Sequence, residues 1–169
     1  MQRILSALLV TGLIIVPTTS SAQTNPGLSF NWGGDLPGKR QLSYRLDYGT
    51  PNVLDRYRLR VKAQKVDVSQ LTITYPKYYT GTFDPKNINL LVKGKKVALA
   101  EALLEREANA IKLKPEALIP AESPIEVVLS NVKNPSRGGM YWFNCSIESP
   151  GDLPLPRYIG TWVISIYKS

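Results

Sequence analysis

Histidine is absent from the 169-residue sequence, and cysteine occurs once, at Cys145. Each absence closes a class of chemistry. Without histidine there is no Ser-His-Asp or Cys-His catalytic set, no imidazole acid or base, and no histidine metal ligand. One cysteine cannot build a thiolate zinc or iron–sulfur site, nor an intrachain disulfide. Stability therefore has to come from a hydrophobic core. Glycine-rich dinucleotide fingerprints, phosphate-binding loops and EF-hand spacings are missing too, and no cofactor is expected. Beyond the N-terminal segment, no apolar run approaches the ~20 residues of a membrane span.

What is present begins with "MQRILSALLVTGLIIVPTTSSAQ". Arg3 precedes an apolar run from Ile4 to Val16, and Pro17 breaks it. Ser20 and Ala22 then stand where a signal peptidase needs small side chains. Residues 1–22 read as a secretory signal peptide, with no lipobox cysteine at the cut. Export would lead to the periplasm, the thylakoid lumen or the extracellular space. The remaining residues, 23–169, are one domain by length.

The formal net charge is +8. Residues 39–65 hold most of it: Lys39, Arg40, Arg45, Arg56, Arg58, Arg60, Lys62 and Lys65 against Asp47 and Asp55. A local basic face attracts anionic partners. Its centre is "DRYRLRVKA", where Tyr57, Leu59, Val61 and Ala63 alternate with Arg56, Arg58, Arg60 and Lys62. A helix would scatter those charges around its circumference. A strand lines them up at ~7 Å intervals.

Residues 23–38 are rich in glycine and proline, with Phe30 and Trp32 embedded. They read as an exposed or edge arm, and 39–169 as the folded domain. "RQLSYRLDY", "VSQLTITYP", "INLLV", "AIKLKP", "SPIEVVLSNV", "GGMYWFNCSI" and "YIGTWVISIY" are further candidate strands, by alternation or β-branched content. "GTPN", "YYTGTFDPKN", "KGKK" and "ESPGDLPLPR" supply turns and loops. Residues 97–110 stay open: alanine, leucine and glutamate favour a helix, and a sheet can override them. The pattern predicts an all-β protein with at most one short helix. A β-sandwich fits it, with the immunoglobulin-like arrangement as one form.

The stretch "KNPSRGGMYWFNC" raises a choice between a reactive thiol site and a tight turn feeding a core strand. Asn134, Pro135, Ser136, Gly138 and Gly139 are turn residues. Beyond them Tyr141, Phe143, Cys145 and Ile147 share one face, and Met140, Trp142, Asn144 and Ser146 the other. The thiol thus falls among the most apolar residues, where it behaves as a small hydrophobe. With no histidine beside it and no second cysteine, it is expected to be inert. Trp142, on the opposite face, is a covered aromatic or an exposed ligand platform.

A strand, an Asn-Pro-x-x-Gly-Gly turn at 134–139, an aromatic strand at 141–143, a proline-rich loop at 150–156 and a last strand opening Tyr-x-Gly at 158–160 follow one another here. That run, "LSNVKNPSRGGMYWFNCSIESPGDLPLPRYIGTW", resembles a family of exported cyanobacterial proteins known as a domain of unknown function. "TYPKYYTGTFDP" and the signal peptide are similar to the group's as well. The resemblance implies an exported β-rich domain. It brings no catalytic residues with it.

Two enzyme options survive the absences. Ser130 and Lys133 match Ser-x-x-Lys, but that motif needs a helix and here falls at a strand end. Asp84, Glu148 and Asp152 sit in or beside loops where a glycosidase carboxylate pair could converge. Turn capping by Asp84 and solvation of Asp152 are the simpler explanation. "NCS" at Asn144 has the form of a glycosylation sequon, within a core strand.

The basic stripe is the strongest local signal. It can track an anionic polymer or lipid surface, or merely keep an exposed sheet from pairing with its neighbours. The sequence thus reads as a non-enzymatic binding or structural module of the cell envelope. Docking would use Arg56, Arg58, Arg60 and Lys62, with Trp32 and Trp142 as further contacts. Acidic polysaccharide, anionic lipid headgroups or an acidic envelope protein are the expected partners, and nucleic acid is not. The competing classes are a carbohydrate-active enzyme using loop carboxylates and a scaffold subunit without a small ligand.

Overall fold

A computed structural model describes residues 40–151 and 155–167. The signal peptide, the arm with Phe30 and Trp32, and Asp152 lie outside the described residues. Within them the strands are β1 (Tyr44–Leu46), β2 (Leu54–Val61), β3 (Gln70–Thr74), β4 (Ile88–Val92), β5 (Lys95–Val97), β6 (Leu99–Glu105), β7 (Ala110–Pro115), β8 (Ile125–Lys133), β9 (Gly139–Glu148) and β10 (Arg157–Ile166). They form two five-stranded sheets, ordered β1-β2-β8-β4-β5 and β10-β9-β3-β7-β6. Every neighbouring pair of strands is antiparallel. The chain is a β-sandwich.

Alternation builds the core. In β2, Tyr57, Leu59 and Val61 are buried, while Arg56 and Arg60 are exposed. In β9, Tyr141, Phe143, Cys145 and Ile147 are buried, and Met140, Trp142 and Asn144 face out. Leu71, Ile73, Ile111, Leu113, Val127, Leu129, Trp162 and Ile164 complete the interior. Each such aliphatic or aromatic side chain contributes roughly 1.5–3 kcal/mol of burial. The Trp162 indole N–H donates to the Arg60 carbonyl at 3.1 Å, a bond that runs from one sheet to the other.

The open segment 97–110 resolves as strand. β6 pairs with β7 through Ala102↔Leu113 and Leu104↔Ile111, then turns back at Asn109, whose φ is 49°. Pairing with the otherwise open edge of β7 outweighs helix propensity here, which amounts to only a few tenths of a kcal/mol per residue. Among the described residues the helical structure is one 3₁₀ turn, Pro85–Asn87, capped by Asp84. "KGKK" does turn, with positive φ at Lys93 (50°) and Gly94 (77°), and leads directly into β5.

"RQLSYRLDY" is a strand only over Tyr44–Leu46. Before that, the chain lies parallel to β10: Leu42 donates to the Thr161 carbonyl and Thr161 to that of Arg40, both at 2.9 Å. It then crosses to pair with β2 in the other sheet. The crossing needs a glycine at 160, because a Cβ there would sit 2.3 Å from the Arg40 carbonyl oxygen.

Candidate functional site

The outer face of β2 carries Arg56, Arg58 and Arg60 of the predicted stripe, Lys62 follows just past the strand's end, and these cations differ in what surrounds them. Arg60 Nε lies 3.0 Å from Glu126 Oε2 on β8, so its charge is answered within the sheet. Arg56 faces Asp47 more loosely, at 3.8 Å. Arg58 stands directly across from Arg45 of β1, on the same outward face. Neither Arg45 nor Arg58 has an ion pair among the described residues, nor does the exposed Lys62. The cations left for a partner are therefore Arg45, Arg58 and Lys62. Two like charges in cross-strand register repel, and an anion placed between them relieves that repulsion.

Arg45 belongs to the basic segment of the sequence but not to the docking residues expected from it. A signal for it existed. Joining "RQLSYRLDY" and "DRYRLRVKA" as an antiparallel hairpin puts Arg45 on the face of the stripe. A shallow open depression of about 470 Å³ adjoins it, lined in part by Tyr44, Tyr48 and Tyr167.

Asp55 counts as an acid of the basic segment but does not screen it. Its carboxylate is turned inward and accepts the backbone N–H groups of Asp47 (3.0 Å), Tyr48 (3.1 Å), Gly49 (2.7 Å) and Arg56 (2.7 Å). Asn134 Nδ2 adds a further donor at 3.0 Å. The other side of the Asn134 amide accepts the Tyr57 hydroxyl, and that hydroxyl lies 3.1 Å from the one on Tyr79. Burial pushes both tyrosines well above their ordinary pKa. The Asn-Pro-x-x-Gly-Gly turn is thus a structural clamp: it ties the loop after β1 to the aromatic cluster of Tyr57, Tyr75, Tyr79, Phe83 and Phe143. Tyr79 and Phe83, in a segment read as loop, are buried members of that cluster.

Cys145 lies fully buried on the inner face of β9. Burial pushes its thiol up to about 12, which leaves it protonated and poorly nucleophilic near neutrality. The stretch that ends in Cys145 is a turn feeding a core strand.

Asp84 and Glu148 do not converge. Asp84 caps its own turn, accepting from Lys86 N at 3.0 Å and from the Asn87 side chain. Glu148 accepts from Gln70 Nε2 at 2.8 Å, next to the first residue of β3, whereas Asp84 follows the loop leaving its far end. Ser130 and Lys133 sit on β8 rather than on a helix. No group of three potential metal ligands occurs among the described residues. Trp142 projects from the outer face of the other sheet, opposite Val163 and 37% exposed. It faces away from the arginines, so the fold separates these two sets of predicted contacts.

The architecture is that of an all-β sandwich of two antiparallel sheets. More particularly, the chain belongs to the family described as protein of unknown function DUF2808, whose model matches residues 29–166. No curated protein matches it. Among solved structures it is similar to BslA, described as a bacterial hydrophobin, with 16% identity and a TM-score of 0.51 over 78% of this chain and 97% of that one. It is also similar to an uncharacterised Nocardia farcinica protein with an immunoglobulin-like fold (10% identity, TM-score 0.41, 76% and 99% covered). A collagen-binding domain from a Staphylococcus aureus adhesin gives 10% identity and a TM-score of 0.38, with 72% and 93% covered.

Proposed function

We propose that the chain is a non-enzymatic binding module of the cell envelope, exported by its N-terminal segment, that docks on acidic polysaccharide through the outer face of the β1–β2 hairpin. The observation that carries this reading is the Arg45–Arg58 pair: two guanidiniums in cross-strand register, without a carboxylate partner among the described residues. Guanidinium is the side-chain group best shaped to bind carboxylate or sulfate in bidentate fashion. Acidic polysaccharide is preferred to a lipid surface because the large exposed side chains nearest the arginines, Leu54 apart, are Tyr48 and Tyr167, hydroxylated rings on which a sugar can stack. Trp142 and Met140, suited to a lipid interface, are on the opposite sheet.

The test is retention of the purified protein on immobilised polygalacturonate, with anionic lipid vesicles as a second arm. Binding at about 50 mM salt, release by about 300 mM, and clearly weaker retention of an R45Q/R58Q double variant support the reading. R60Q, whose charge is already answered by Glu126, should matter less. Equal retention of the wild type and the double variant at every salt concentration rejects it. Preference for vesicles over polygalacturonate moves the partner to lipid.

A further inference from the structure

A second, chemically different recess opens at the end of the sandwich where the β3–β4 loop meets the β8–β9 turn. It is a trough of about 560 Å³ whose walls include Tyr78, Thr80, Ser136, Arg137, Met140 and Tyr141. That volume falls in the roughly 300–1,000 Å³ range of small-ligand sites. Tyr78 is 52% exposed, and its ring is braced against Tyr141 at a centroid distance of 5.8 Å and an interplanar angle of 31°. Tyr141 is itself held twice. Its hydroxyl donates to the Arg137 carbonyl at 2.8 Å, and its ring meets Tyr79 edge to face at 5.1 Å. Tyr78 is therefore an exposed ring on a fixed support, which lowers the ordering cost of any ligand that stacks on it. Met140 is 48% exposed, and Trp142 continues the same face two residues on, about 7 Å further along the strand.

The charge of this wall is one-sided. Arg137 is exposed, and among the described residues no carboxylate lines the trough. A complementary ligand therefore offers apolar faces to the rings, hydroxyls to Thr80 and Ser136, and negative charge to the guanidinium. A pyranose chain bearing carboxylates has all three. We infer that this trough is a glycan site for uronate-type sugars, with Tyr78 as the stacking platform and Arg137 as the carboxylate anchor. It stands on its own residues and does not depend on the Arg45–Arg58 reading.

The test is calorimetric titration of the purified protein with hexagalacturonate, with a neutral cello-oligosaccharide and an oligoglutamate peptide as controls. Hexagalacturonate is expected to bind best. Y78A and R137Q should each weaken it by about tenfold, a loss of about 1.4 kcal/mol, with an unchanged unfolding midpoint in R137Q, whose side chain is exposed, and a slightly lowered one in Y78A, which loses its contact with Tyr141. R137Q should also narrow the preference for the acidic over the neutral sugar. R45Q/R58Q should leave hexamer binding within about twofold. Absence of binding, indifference to both Y78A and R137Q, or equal binding of oligoglutamate overturns the proposal. Loss in R45Q/R58Q alone overturns it too, while leaving the basic-face reading intact.

Discussion

Asn134 Nδ2 donates to Asp55 Oδ2 at 3.0 Å, joining residues 79 positions apart inside the sandwich. The same amide nitrogen donates to the Thr50 carbonyl at 2.8 Å, and the amide oxygen accepts from Tyr57. One side chain thus fixes a loop, a buried carboxylate and a buried phenol. Replacing it by alanine strands polar groups that water cannot reach, and each buried group left unsatisfied costs about 1–3 kcal/mol. Asn134→Ala is expected to lower stability by about 2–4 kcal/mol in denaturant unfolding. Asp55→Asn, which keeps the shape but sets an NH₂ group against backbone donors, should cost a similar amount. A loss below about 1 kcal/mol for both would mean that the clamp is not what holds this loop.

Gly160 makes a separate prediction. A methyl group there would lie 2.3 Å from the Arg40 carbonyl and 2.9 Å from Leu42 Cγ. Backbone has to shift, so overpacking of this kind costs about 1–3 kcal/mol. Gly160→Ala should lower the unfolding midpoint and, more tellingly, speed amide hydrogen exchange at Leu42 and Thr161, which bond across the crossing. Unchanged protection at both amides would show that the crossing tolerates a side chain.

These two residues also mark how far the sequence could be read. β2 and β9 were legible because each is sandwiched between core and solvent, so alternation carries their whole orientation. The inward thiol and outward tryptophan of β9 followed from the same rule. Asp55 was not legible. It occupies an inward position of a strand whose inward neighbours are apolar, and its donors come from a loop and from Asn134, far along the chain. Tyr79 and Phe83 were hidden for a related reason: they enter the core from a loop, which has no period to betray them. Arg56, Arg58 and Arg60 alternate with buried residues along β2 as the pattern implies, but what neutralises them was not legible. Glu126 reaches Arg60, and Arg45 meets Arg58, only through pairing with β8 and β1.

Stability should fall on the alkaline side. The Cys145 thiol is raised from 9.0 to about 12 by burial. The buried hydroxyls of Tyr57 and Tyr79 are raised from 10.0. A raised folded-state pKa means the folded chain keeps a proton that the unfolded chain releases. The contribution is complete below pH 9 and declines as pH rises through the window between the two values. Cysteine acts first, above pH 9, and the tyrosines join above pH 10, each at up to about 1.4 kcal/mol per pH unit. Cys145→Val should flatten the profile between pH 9 and 10 while leaving the tyrosine-driven fall above it. An identical slope in both proteins from pH 9 upward would remove the thiol as a cause.

Arg45 and Arg60 should respond to substitution with opposite signs. Arg45 is exposed on an edge strand, opposite Arg58, and its charge is unfavourable to the isolated protein. Removing it in Arg45→Gln is expected to raise stability by a few tenths of a kcal/mol at low salt. Arg60 is paired with Glu126 at 3.0 Å, so Arg60→Gln should lower stability by an amount of similar size, as exposed pairs do. Both effects should shrink together as salt rises, because the screening length falls from about 10 Å at 0.1 M to about 3 Å at 1 M. Denaturant midpoints measured at low and high salt distinguish the two cases. If Arg45→Gln destabilises at low salt, its guanidinium has a partner within the fold and is not free to hold an anion.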